Sequence, residues 1–251
     1  MLWMKIKRAG RNPWLYACSA IILFFMLRTV WRYIVEPGIS SIDALSFIIN
    51  PTGFSMISPY AAFFCVVPYS ATFCDEYRCG FARTLLPRAG RPRYALGNIL
   101  SVALSGSLVF MLPLAITCLV AVLKAAPTTG ANLSDYYSDT IWEPIFFQHG
   151  TGAVMGLKIA VSGLFGMVWS QLGLFVSCLS LNRFVTIIVP FVLYQTMWSV
   201  FDATLLSPVI YLWANASFFP SLGYVVGVQL GLFAVLSALS YAAICWRCRN
   251  V

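Results

Sequence analysis

Residues 95–123 read ALGNILSVALSGSLVFMLPLAITCLVAVL and contain no Asp, Glu, Lys, Arg or His. A helix crosses a bilayer with roughly 17–25 predominantly apolar residues, so this segment predicts a membrane span by itself. Four other stretches read the same way: Met56 to Cys74, Ile159 to Asn182, Phe184 to Phe201 and Gly223 to Trp246. A sixth, Trp14 to Ile34, is charge-free only as far as Leu27 and then carries Arg28 and Arg32. Those arginines belong near the far end of a helix, where long side chains reach back to the interface. The remainder of the chain agrees: it is 60% hydrophobic and 10% charged, with a mean hydropathy of +0.83, whereas a soluble domain carries roughly 25% charged residues.

The expected architecture is an all-α integral membrane protein, one transmembrane domain over residues 1–251. Its spans fall at about 14–34, 56–74, 95–123, 157–182, 184–201 and 223–246, making six. Residues 1–12 mix Leu2, Trp3 and Ile6 with Lys5, Lys7, Arg8 and Arg11, the pattern of an interfacial amphipathic helix. Residues 203–222 are apolar but interrupted by Pro208, Asn215 and Pro220, which suggests a re-entrant or interfacial hairpin on the outer side before the last helix.

Basic residues set the orientation, because Lys and Arg stay on the cytoplasmic side of membrane spans. With six spans, Lys5, Lys7, Arg8, Arg11, Arg78, Arg83, Arg88, Arg91, Arg93, Arg183, Arg247 and Arg249 fall inside, twelve of the sixteen. Both termini are then cytoplasmic, residues 75–94 form an inner loop and residues 124–150 an outer one. The same distribution argues against nucleic acid as the partner of the +8 charge, since the cations flank spans and form no extended face. The eight cysteines form no disulfide framework, because they lie within spans or at a reducing face. Cys245 and Cys248 make a C-x-x-C with no second pair, more suited to packing or acylation than to metal.

The inner loop CDEYRCGFARTLLPRAGRPRY, Cys74 to Tyr94, carries the most information. Its acidic pair, Asp75 and Glu76, ends a span. A short mixed helix follows, which the sequence stops at Pro87 and again at Arg91-Pro92. Arg78, Arg83 and Arg88 are then either presented to a partner or serve only to fix topology.

Glu76, Gly80, Thr84, Leu85, Leu86, Pro87, Arg91 and Tyr94 occur in an order that resembles the membrane subunits of ATP-binding-cassette exporters of the second permease type. Those proteins place a glutamate at the end of the second span, then glycine, threonine, Leu-Leu, proline and an arginine followed by an aromatic. Gly173 to Tyr194 is similar to the family's fourth span, polar turn and fifth span. Gly97-Asn98 departs from it, because many members carry a basic residue there. The resemblance implies a bacterial plasma (inner) membrane location and a coupling role for Asp75, Glu76, Arg78, Gly80, Arg83, Thr84, Leu86, Pro87, Arg88, Arg91 and Tyr94. It also implies a second permease copy and a separate ATPase subunit that holds ATP and Mg.

The chain contains no G-x-x-x-x-G-K-[ST], so it cradles no nucleotide phosphates by that route. Its one histidine, His149, has no metal or triad pattern around it, and neither catalytic nor metal-ligating residues are expected. Gly223, Gly227 and Gly231 form a small-residue stripe for helix packing or a subunit interface, as do Gly97, Ser101 and Ser105. Arg28 and Arg32 either pair with Glu36 one turn on or face an outer vestibule that meets an anionic substrate group.

The function expected from all this is the permease of an ATP-driven exporter for an amphipathic or hydrophobic cargo such as a peptide, drug or lipid. No carboxylate lies mid-span, which disfavours an ion-coupled carrier. The alternative is a non-transporting immunity or sensor subunit that binds a peptide or partner protein.

Overall fold

The structure, a computed structural model, describes residues 2–35, 57–124, 141–201, 204–213 and 221–250. Those residues are helical almost throughout, and among them five helices are long and apolar enough to cross a membrane. The elements are α1 (Leu2–Gly10), α2 (Pro13–Val35), α3 (Ala61–Val66), α4 (Thr72–Arg78), α5 (Phe81–Ala89), α6 (Arg91–Lys124), α7 (Glu143–Ser180), α8 (Arg183–Val200), α9 (Pro208–Trp213) and α10 (Leu222–Arg247). The long ones are α2, α6, α7, α8 and α10.

Helix α7 is the centre of the bundle. It packs on α6, α10, α8 and α3, and 61% of its most apolar window is buried, against 11% for α10. Close approach explains the choice of residues: a Cβ added at Gly166 would collide with the Gly106 carbonyl oxygen, and one at Gly173 would lie 2.7 Å from Val66 Cγ1. Helices in lipid associate by such backbone proximity rather than by a hydrophobic force. The Gly223, Gly227 and Gly231 stripe does not do this within the chain. Nothing lies within 4 Å of a Cβ built at Gly227 or Gly231, so the packing reading of that stripe is corrected in favour of α6 and α7.

The second expected span, 56–74, is not one continuous helix. A 3-10 turn at Ser58–Tyr60 leads into α3, the chain turns through Val67 to Ala71, and α4 follows. Pro68 is the cause, since it has no N–H and cannot continue the ladder. Bare backbone is not tolerated in lipid, and polar side chains satisfy it here. Asn12 Nδ2 donates to the Pro68 carbonyl. Tyr194 Oη donates to Ser58 O at 2.7 Å and Gln195 Nε2 to Pro59 O at 2.8 Å. The Cys74 amide donates to Ser177 Oγ at 3.1 Å.

Other boundaries shift as well. Helix α7 begins at Glu143, with a kink at Gly150, so part of the expected outer loop 124–150 is helical. Lys158, at the outer end of the expected span 157–182, is fully buried in α7 and donates to the carbonyls of Leu212 (3.2 Å) and Trp213 at the end of α9. Of the expected hairpin 203–222, residues 203 and 214–220 lie outside the described residues, and α9 is the helical piece described. Arg28 is exposed, while Glu36 and the Arg32 side chain lie outside the description.

Candidate functional site

The polar face of the second segment continues into a compact helical hairpin. Helix α4 ends at Cys79, Gly80 turns the chain in the left-handed region (φ 71°), α5 runs from Phe81 to Ala89, and Gly90 (φ 74°) releases it into α6. L side chains seldom adopt that conformation, so both turns depend on glycine. The helix does not stop at Pro87, contrary to the sequence reading. It continues to Ala89, and the Gly90 amide bonds Leu86 O at 3.0 Å. Arg91 and Tyr94 are accordingly the first turn of α6 rather than loop, with Pro92 beside the helix start, where its missing N–H is harmless.

The structure divides the expected coupling residues into two groups. Asp75, Arg78, Thr84, Pro87 and Arg91 are exposed, and Phe81 joins them at 45% exposure. Gly80 and Leu86 are half-buried, Leu86 with Leu85 against the core of α1, α4, α6 and α7. Glu76 and Tyr94 are buried, so of the Asp75-Glu76 pair Asp75 is the exposed member. The side chains of Arg83 and Arg88 lie outside the description.

Glu76 is the hub of a buried cluster that sequence reasoning missed. Lys5 Nζ of α1 lies 2.8 Å from Glu76 Oε2 and donates to Asn98 Oδ1 at 2.6 Å. Tyr94 Oη donates to Glu76 Oε2 at 2.8 Å, and Lys5 Nζ sits 4.0 Å from the centre of the Tyr94 ring. Asn98 Nδ2 in turn donates to Tyr94 O at 3.2 Å. Arg8 completes the set at 3.3 Å from Glu76 Oε1, its side chain 60% exposed. Burial lowers the Lys5 pKa, and the Glu76 carboxylate opposes that shift.

The cluster also explains the departure at Gly97-Asn98. A Cβ at Gly97 would lie 3.2 Å from Lys5 Cδ. The positive charge that α6 lacks there arrives from α1, and the glycine leaves room for it. One signal was available in the sequence: on an amphipathic helix, Lys5 shares a face with Ala9 at i+4, and both are buried.

One cavity adjoins this region and another lies elsewhere in the bundle. The first, of about 430 Å³, lies between α1 and the hairpin and is lined by Arg8, Asp75, Glu76, Phe81 and Thr84. An apolar groove of about 370 Å³ lies in the bundle between α7, α8, α9 and α10, against Phe165, Trp169, Met197, Leu206 and Leu232, with Gln229 at its wall. Among the described residues no group of three or more His, Cys, Asp or Glu side chains is placed to hold a metal. Compared with known protein families, curated proteins and solved structures, the chain matches none of them.

Proposed function

We propose that the chain is the membrane permease subunit of an ATP-driven exporter. In this reading two permease copies enclose the path, and a separate ATPase subunit, holding ATP and Mg, docks on the α4–α5 hairpin. The broken second segment counts as a crossing, which makes six with the five long helices and leaves both termini in the cytoplasm. Residues 203–222 form the outer hairpin.

The observation that carries the proposal is the hairpin. Two glycine turns hold a short helix outside the bundle, with Arg78, Phe81 and Thr84 outward, while Glu76 fastens its base to α1. A docking element must be exposed and also rigidly attached if ATP binding on one side is to bias the bundle on the other. The apolar groove supports a hydrophobic or amphipathic cargo, because its lining offers few polar groups to an ion.

The test is co-expression with an ATPase encoded beside this gene. Phe81→Ala together with Arg91→Ala removes two exposed contacts without touching the Glu76 cluster. The permease should then still elute as a folded species but lose at least about tenfold in ATPase capture, the effect of removing interface contacts together worth about 1.4 kcal/mol or more. Undiminished capture and ATPase stimulation by that variant would remove the hairpin from the coupling role.

A further inference from the structure

A second polar cavity, of about 580 Å³, opens on the other side of α1, at the corner where α1 meets α2. Lys7, Arg8, Arg11 and Arg183 line it, and the carboxylate among its lining residues is Asp75. All five are exposed. Arg8 is engaged with Glu76, whereas Lys7, Arg11 and Arg183 form no ion pair among the described residues. Its lining therefore holds more positive charge than the one free carboxylate, Asp75, and the described ion pairs offset.

Its remaining wall is of another kind. Met4, Pro13, Trp14, Val67 and Pro68 line it, with Met4 65% and Trp14 54% exposed. Trp3 and Tyr16 are exposed next to them. Tryptophan and tyrosine concentrate at the level of lipid headgroups, and an amphipathic helix with basic and aromatic residues lies in that plane. Cations and an apolar wall in one cavity at that depth match a molecule with an anionic head and an apolar tail. A free anion would use only the cations.

We propose that this cavity binds the phosphodiester headgroup of an anionic phospholipid, held by Lys7, Arg11 and Arg183, with the acyl chains leaving over the Trp14 and Val67 wall. Arginine suits a phosphate because its planar fork donates two parallel hydrogen bonds. Arg183 stands at the first turn of α8, where the helix dipole also favours negative charge. The cations of the lining outnumber its carboxylate, Asp75, so a lipid whose phosphate charge is not balanced by its own choline or ethanolamine group is favoured. Because Arg11 and Arg183 come from different elements, a bound lipid would also tie the α1–α2 corner to α8. None of this depends on whether the chain transports anything.

The test uses the full chain in dodecyl maltoside. Phosphatidylglycerol, phosphatidylcholine and inorganic phosphate are added separately, and bound lipid is read by native mass spectrometry alongside the melting temperature. The wild type should retain phosphatidylglycerol in preference to phosphatidylcholine. Each basic residue near an anionic surface is worth about five-fold in affinity, so Lys7→Gln/Arg11→Gln/Arg183→Gln should lower phosphatidylglycerol retention about 100-fold and abolish the preference. Should the triple variant fail to fold, Lys7→Gln and Arg183→Gln singly should each lower it about five-fold. An unchanged preference in the folded variants would overturn the proposal. So would millimolar inorganic phosphate raising the melting temperature as far as phosphatidylglycerol does, since the site would then recognise a soluble anion.

Discussion

The Lys5–Glu76 pair makes a quantitative claim about how α1 is held. Lys5→Met removes the ammonium and leaves the Glu76 carboxylate, whose side chain is 3% exposed, with Tyr94 Oη and the more distant Arg8. Removing one partner of a buried pair costs about 3–5 kcal/mol. Arg8 is mostly solvated and offsets only about 0–1 kcal/mol of that, which leaves an expected loss of about 2–5 kcal/mol. Glu76→Gln strands the ammonium instead, against Asn98 Oδ1 and the Tyr94 ring, for a similar loss. With both substitutions together no buried charge remains, and the cost should fall to about 0–2 kcal/mol. For a chain of this size each kcal/mol shifts the melting temperature by about 2–4 °C. Each single variant should therefore melt about 4–20 °C lower and the double variant less than about 8 °C lower, measured as the fraction surviving size exclusion after heating in detergent. If the double variant loses the sum of the two single losses, the residues do not interact and the cluster is not what fastens α1.

Four further outcomes follow from the packing. Gly166→Ala should cost about 3 kcal/mol or more and depress folded yield, because the new methyl meets a backbone carbonyl that only helix separation can move. Gly227→Ala should instead leave the chain's thermal stability within about 0.5 kcal/mol, and a loss of dimer with intact monomer stability would assign that stripe to a subunit interface. Ser177→Ala should leave the Cys74 amide without its acceptor, costing about 2 kcal/mol and roughly 4–8 °C by the same heating assay; an unchanged melting curve would mean that the break needs no such support. At pH 8 iodoacetamide should modify the exposed Cys79 well before Cys248, whose thiol is pushed up to about 11, chiefly by burial, so that little thiolate is present. Equal rates in the folded protein would contradict the burial of Cys248.

The long helices were legible because their signal is local: a charge-free run such as Ala95 to Leu123 states its own length. What stayed illegible were the interactions that cross between elements. Lys5 looked like one of four interfacial cations, and only the packing of α1 on α6 turns it inward to Glu76. Arg247 looked like a topology marker, yet its guanidinium donates to Cys178 O (3.1 Å) and Leu179 O (2.7 Å), capping the end of α7. Lys158 likewise looked like an outer flank and is a buried donor to the end of α9. In each case the residue type is costly to bury, and what the sequence does not display is the acceptor that makes burial acceptable. The two small-residue stripes divide for the opposite reason: Gly97, Ser101 and Ser105 are buried in the bundle, and Gly227 and Gly231 meet nothing within the chain. Their spacing marks a smooth helix face, but nothing local says which smooth face meets a neighbour.

The break at Pro68 joins these observations. An interrupted helix within an apolar bundle persists only if its freed backbone groups find partners, and here the partners come from separate elements: Asn12 between α1 and α2, Ser177 on α7, and Tyr194 and Gln195 on α8. Helix α4 therefore cannot shift relative to α1 or α7 without exposing a buried polar group, while Tyr194 and Gln195 fasten the entry to α3, at Ser58 and Pro59, to α8. At its other end α4 carries Glu76 and then the exposed α5, so a displacement imposed on α5 meets resistance at a defined set of hydrogen bonds rather than dissipating in a flexible loop. A continuous apolar helix over residues 56–74 would lack that property, because apolar surfaces slide past one another at little cost while a buried amide leaves its acceptor at about 1–3 kcal/mol. The proline that spoils the second span as a simple helix is thus what ties the outward hairpin to the core of the bundle.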